Sequence, residues 1–282
     1  MWSSEYWAAL SLRRKIWGDD MKNLIKAQIY QITHTRVYLW VFIMAVIIAS
    51  IFGFSEYLNG ADSLNEGELL TASDYFTRYD MLPVLAMEFM SFFSCFIAAE
   101  DFGDKTANYE LMSGRLRSQS FLARVITIIL ANTLLGLFMM TLPLLIYTAI
   151  TGWGDSVTVA TAAQRILLMV FPFFRISCFF TLAAFIIRRP GIAFIACYGA
   201  MNLPLLLPVN NESTGVMLTL STSRKLLHFD YWATFGLERD AQAIYDQGLD
   251  SAFVIRCIIV SLAVGAAYIG LAYSYFHKDD IE

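Results

Sequence analysis

Charge is scarce in this chain. Of its 282 residues, 16% are Asp, Glu, Lys or Arg, where a soluble domain carries about a quarter. Histidine and cysteine are scarcer still. The three histidines (His34, His228, His277) lie far apart in sequence and have no metal-ligand spacing. The four cysteines (Cys95, Cys178, Cys197, Cys257) all fall inside apolar runs and form neither a zinc pattern nor a disulfide framework. Buried free thiols behave as small apolar side chains. Segments of alternating polarity are missing, which speaks against a transmembrane barrel. Residues 1–20 contain no signal-peptide apolar core, although Trp2, Trp7 and Trp17 beside Arg13–Lys15 suit an interfacial anchor.

Catalytic signatures are missing too. There is no Gly-x4-Gly-Lys-Ser/Thr phosphate loop, and Gly103-Asp104-Lys105-Thr106 lacks the upstream glycine and strand, so this chain is not expected to hydrolyse ATP. An intramembrane protease or lipid-modifying enzyme would need a His-Glu-x-x-His or a pair of acids at matching depth. Neither is found, and no catalytic, cofactor or metal residue is assigned. Net charge is −4, and nothing points to nucleic acid as a partner.

What remains is apolar: 57% hydrophobic residues and a mean hydropathy of +0.55, gathered in unbroken runs. A helix needs about 20 apolar residues to cross a hydrocarbon core. Runs of that kind occupy about Val37–Phe54, Met81–Ala99, Val125–Ile150, Ile166–Ile187, Gly191–Leu207 and Phe253–Phe276. With the pattern against a barrel, helices are the remaining way to satisfy backbone polar groups in lipid. The expected fold is an all-α membrane protein of six transmembrane helices. Residues 1–36 form an N-terminal extension with an interfacial helix, and 37–282 a single transmembrane domain. Met21, Leu24, Ile25, Ile29 and Ile32 recur at helical spacing opposite Lys22, Asn23, Lys26 and Gln31. That pattern suits the headgroup layer, or equally a cytoplasmic helix packed on protein.

An inner N-terminus and six spans place 13 of the 20 Lys and Arg on the cytoplasmic side: Arg13–Lys15, Lys22, Lys26, Arg36, Lys105, Arg115, Arg117, Arg124, Arg188, Arg189 and Lys278. The positive-inside rule therefore favours both termini inside. The first outer loop is acidic, with Glu56, Asp62, Glu66, Glu68, Asp74 and Asp80, and is read as solvated. Arg188-Arg189-Pro190-Gly191 forms a tight inner turn, and Pro208–Ala252 is expected to fold as short helices over the outer mouth. Glu88 and Arg175 are ionisable residues well inside spans, at depths of about 10 and 13 Å. A charge at such depth needs a partner or a water cavity. A Glu88–Arg175 contact facing the bundle or a subunit interface is expected, with direct substrate contact as the alternative. Ala263, Ala266, Ala267 and Gly270 provide small-residue spacing for close helix approach. Pro143, Pro172 and Pro204 are sites where helices can bend.

Between the second and third runs lies the most distinctive polar segment. Asp101-Phe102, Thr106, Ser113-Gly114, Arg117 and Arg124 follow at set intervals. Together with the opening Met21-Lys22-Asn23-Leu24-Ile25-Lys26 and the closing Phe276-His277-Lys278-Asp279-Asp280-Ile281, this segment resembles the first cytoplasmic loop and termini of ABC-2 type permeases, the membrane subunits of bacterial ABC exporters. Lys105 stands where glycine is usual there and Leu116 where serine is usual, which removes a possible helix cap. The resemblance covers residues 21–282.

It implies a multi-pass protein of the bacterial cell membrane. ABC ATPase subunits would be its partners and would carry ATP and Mg; a second permease subunit, identical or sibling, would complete the path. Coupling would fall to Asp101, Phe102, Thr106, Tyr109, Glu110, Met112, Gly114, Arg115 and Arg117. The cargo would be hydrophobic or amphipathic: a peptide or bacteriocin, a lipid-like compound or a drug, with self-protection against bacteriocins or lantibiotics among the family roles. A non-transporting sensor or assembly scaffold is the rival reading. It should bind partners without ATP-dependent movement of a substrate.

Overall fold

A computed structural model describes residues 21–62, 71–78, 81–103, 116–202, 219–227, 249 and 251–278, and every regular element among them is an α-helix. In chain order these are α1 (Met21–His34), α2 (Arg36–Asp62), α3 (Ala72–Arg78), α4 (Met81–Gly103), α5 (Arg117–Thr151), α6 (Val159–Leu168), α7 (Val170–Ile187), α8 (Pro190–Asn202), α9 (Thr219–Leu227) and α10 (Ser251–Lys278).

Among the described residues three stretches are long and apolar enough to cross a membrane: α5, the joined α6–α7 stretch Val159–Ile187, and α10. The α1–α2 pair qualifies as a fourth if counted as one span, bent by 64°. α4 and α8 are shorter apolar helices over Pro83–Ala99 and Pro190–Met201. The fifth expected run is thus described only within the 13-residue helix α8, about 20 Å long at 1.5 Å per residue, and 203–207 lie outside the described part.

The N-terminal helix forms where its periodicity predicts it, but its apolar stripe divides. Leu24 and Gln28 are buried and Ile32 packs on the core, while Ile29 and Tyr30 are exposed. Local side chains close its last turn. Thr33 Oγ1 donates to the carbonyls of Ile29 and Tyr30, and the His34 ring stacks on Tyr30 at 3.8 Å. Such back-bonding competes with the regular helical ladder, and α2 departs from the single intervening residue, Thr35.

Helix α7 is the hub, packing against α4, α5, α6, α8, α9 and α10. Two glycines set how closely its neighbours approach. A Cβ at Gly136 of α5 would stand 2.6 Å from Met90 Sδ and 2.9 Å from Phe173. One at Gly265 of α10 would stand 2.5 Å from Phe174 and 3.3 Å from Cys178 Sγ. The small-residue stripe noted in the sequence lies on another side of α10: Ala263, Ala266, Ala267 and Gly270 are exposed, so Gly265 makes the close approach within the chain.

Turns follow their residues. α7 ends with Arg188 in the left-handed region (φ 55°), its N–H returning to the Ala184 carbonyl, and α8 starts two residues later at Pro190. Proline is favoured at a first helical position, where no N–H is needed. Pro172 sits in the first turn of α7, where its ring is tolerated, just after the turn at Met169 that separates α6 from α7.

Candidate functional site

The two ends of the bundle differ in character. At one end Phe121 (first turns of α5), Phe185 (last turn of α7) and Phe276 (last turn of α10) pack ring on ring, with centroids 5.4–5.7 Å apart. That cluster brings the start of α5 beside the ends of α7 and α10. Arg117, Arg188, Arg189 and Lys278 belong to the same chain ends. Arg124 is drawn into the protein instead: it is buried, so the second basic position of the polar segment is not an exposed loop charge.

The polar segment joins α4 to α5 here. Asp101 and Phe102 belong to the last turn of α4, and Arg117 is the first residue of α5. Thr106, Tyr109, Glu110, Met112, Gly114 and Arg115 lie outside the described residues. Leu116 holds the cap position in extended backbone (φ −71°, ψ 134°) and makes no side-chain cap bond. Helix α5 therefore starts without the hydroxyl acceptor that serine supplies at such a site.

In mid-bundle, polar side chains from three helices meet. Asn132 Nδ2 of α5 donates to Ser94 Oγ of α4 at 2.7 Å and to Ser177 Oγ of α7 at 3.1 Å. Ser177 in turn donates to the Phe173 carbonyl. All three residues are fully buried. Beside this clasp the Cys95 and Cys197 thiols of α4 and α8 stand 3.6 Å apart. All four cysteines are free and buried, as their positions in the apolar runs predict. The sequence signal for the clasp was available in Asn132, an amide placed inside an apolar run, but its partners were not.

Toward the other end, two buried arginines hold α9. Arg175 Nε donates to Thr219 Oγ1 and its Nη2 to Thr222 Oγ1, both at 3.1 Å. Arg165 of α6 donates from Nη1 to the Leu226 carbonyl at 3.0 Å, placing a cation at the C-terminal end of α9, where the helix dipole favours it. The expected Glu88–Arg175 pair is thereby corrected. Residues 219–227 belong to the segment expected over the outer mouth, and Thr219 and Thr222 reach the guanidinium. Glu88 is partly buried on α4, and its backbone carbonyl accepts from Ser91 Oγ.

The same end carries a hydroxyl-rich cap. Ala72 and Ser73 of α3 donate their N–H groups to the carbonyls of Gly152 and Trp153. Asp74 accepts from Thr71 and from Ser156 Oγ. Gly154, at φ +85°, passes so near Thr71 that a Cβ would lie 2.0 Å from its hydroxyl. Tyr75 stacks on Tyr147 at 4.9 Å. Asp74, from the acidic first loop, is thus partly a structural acceptor rather than only a solvated charge.

None of this assembles a nucleophile with a base, and no group of three His, Cys, Asp or Glu among the described residues could hold a metal ion. The arrangement suits holding helices in fixed relation. Compared with known proteins, the chain matches no family model and no curated protein.

Proposed function

We propose that this chain is the membrane-spanning permease subunit of an ATP-driven exporter of the ABC-2 type, crossing the bilayer six times with both termini inside. It would move a hydrophobic or amphipathic substrate outward, powered by separate ATP-hydrolysing subunits and paired with a second permease. One observation carries the reading. The segment Asp101–Arg124, with its family-like motif, joins α4 to α5 at the bundle end where the Phe121–Phe185–Phe276 cluster gathers Arg117, Arg188, Arg189 and Lys278.

Basic residues concentrated at one end favour the cytoplasmic face, where an ATPase would reach the segment. A push there acts directly on α4 and α5. Both connect to α7, through the Asn132 clasp and around Gly136, and α7 packs on α9 and α10. Movement at the inner elbow is thereby shared with the arginine-held α9 at the other end.

The test is co-expression with the candidate ATPase subunit, comparing the native chain with a Tyr109→Asp/Met112→Asp variant. Loss of co-purification and of vanadate-sensitive, substrate-stimulated ATPase activity in the variant is expected. Retention of both would remove the coupling role. Binding without any substrate-dependent hydrolysis, even in the native chain, would favour the scaffold reading.

A further inference from the structure

Helix α4 leaves one of its own faces partly open. Between Pro83 and Ala99, Leu85, Glu88, Phe89, Phe92 and Phe96 are partly buried and every other residue is buried. On a helix of 3.6 residues per turn these five form one stripe about 100° wide. Phe92 stacks on Phe96 with centroids 4.1 Å apart and meets Phe194 of α8 edge-on at 5.5 Å. Phe194 lies 6.1 Å from Tyr198, which is exposed. The result is a surface of flat aromatic rings across two helices, with one carboxylate set into it.

Among the described residues that carboxylate meets no counter-charge. Among the described residues none donates to or pairs with the Glu88 side chain, and Arg175 is engaged by Thr219 and Thr222. An ionised acid on an apolar helix face is costly unless a cation meets it, so an ionisable residue within a span marks a functional site by default. Ring faces attract cations through their quadrupole. A strongly hydrated ion would lose more in desolvation than this apolar surface returns, and an anion would meet repulsion.

We propose that the Leu85–Phe96 stripe, completed by Phe194 and Tyr198, binds a lipophilic monocation. Its charge would lie against Glu88 and its apolar body against the rings. This rests on the membrane-exporter reading and deepens it by naming a cargo class: organic cations with delocalised or shielded charge.

The test uses the full-length chain in nanodiscs of zwitterionic lipid. Binding of tetraphenylphosphonium is compared with that of tetraphenylborate, an anion of the same shape. Saturable binding of the cation and none of the anion is expected. Glu88→Asp should stay within about threefold of the native chain, while Glu88→Gln should weaken binding about tenfold or more, the equivalent of one lost, partly desolvated ion pair. Phe92→Leu, which keeps an apolar side chain but removes the ring, should weaken it severalfold and decides the matter if Glu88→Gln does not fold.

Equal binding of both ions, no cation binding at all, or undiminished binding in Glu88→Gln or Phe92→Leu would each overturn the proposal. So would a Glu88→Gln variant that changes oligomeric state while cation binding persists, because the carboxylate would then face another copy. The assay needs no ATP. Glu88-dependent binding without ATPase coupling keeps the site and removes the exporter; coupling without such binding does the reverse.

Discussion

Helices α7 and α10 look alike as sequences and occupy opposite situations. Both belong to stretches apolar enough to cross a membrane, yet the apolar window of Val159–Ile187 is 61% buried and that of Ser251–Lys278 only 22%. The difference lies in their few polar and small residues. Arg175, Ser177 and Thr181 of α7 are all buried. α10 turns Ile255, Ile259, Leu262 and Leu271 outward and commits the edge around Cys257, Ser261 and Gly265 to the bundle. In a hydrocarbon solvent an apolar face gains little from burial, whereas a polar side chain must find a protein partner. Position within the bundle therefore follows the polar minority rather than the apolar majority.

Glycine substitutions are the sharpest way to break this comparison. Gly136→Leu in α5 should destabilise by about 3 kcal/mol, because its side chain must displace Met90 and Phe173 in a packed core. Gly270→Leu on α10, with nothing within 4 Å of its Cβ, should stay within about 0.5 kcal/mol. Thermal unfolding in detergent measures both, and equal losses would show that α10 is packed as tightly as the centre.

A smaller effect is expected where the polar minority holds α9. Arg175→Leu or Arg165→Met removes charged hydrogen bonds worth about 2 kcal/mol. Backbone hydrogen exchange over 219–227 should then accelerate by more than an order of magnitude, roughly thirtyfold by that figure. Unchanged exchange would mean that α9 is retained by apolar packing through Leu226 and Leu227 alone. Asn132→Ala, which opens the clasp to Ser94 and Ser177, should cost about 1 kcal/mol, in keeping with hydrogen bonds between helices in lipid. An unchanged melting temperature would reduce the clasp to incidental contact. Smallest of all, the four buried thiols should take no water-soluble maleimide until the protein is denatured. Labelling of Cys257, on the less buried helix, before Cys178 would show that α10 detaches first.

Much of the helical framework was legible in the residues. The apolar runs carry almost no charge and little turn chemistry, so most described helices fall where the runs do, with Met169 a break inside one of them. Arg188-Arg189-Pro190 gave away its two-residue turn because proline cannot continue a preceding helix but can start a new one. Leu116 announced a missing cap, and α5 indeed begins without one. The partners of the charged and amide groups were not legible. Matching Glu88 to Arg175 by depth ignored residues 219–227, whose threonines compete successfully for the guanidinium. Depth along a helix says nothing about azimuth, and a polar loop can fold inward when buried cations await it. The bend between α1 and α2 was hidden for a related reason. Thr33 and His34 read as ordinary polar residues until their bonds to the preceding turn are seen.

The residues alone determined that the chain is helical, sparing in charge and apolar enough to enter a bilayer, because those properties depend on composition and on the order of neighbours. Only the tertiary arrangement decided which face of each helix is enclosed, which hydroxyls receive the buried arginines, and that Glu88 sits among the aromatic rings of α4 with no cation against it among the described residues. Such outcomes depend on how helices distant in sequence rotate against one another, a competition among contacts that no local pattern encodes.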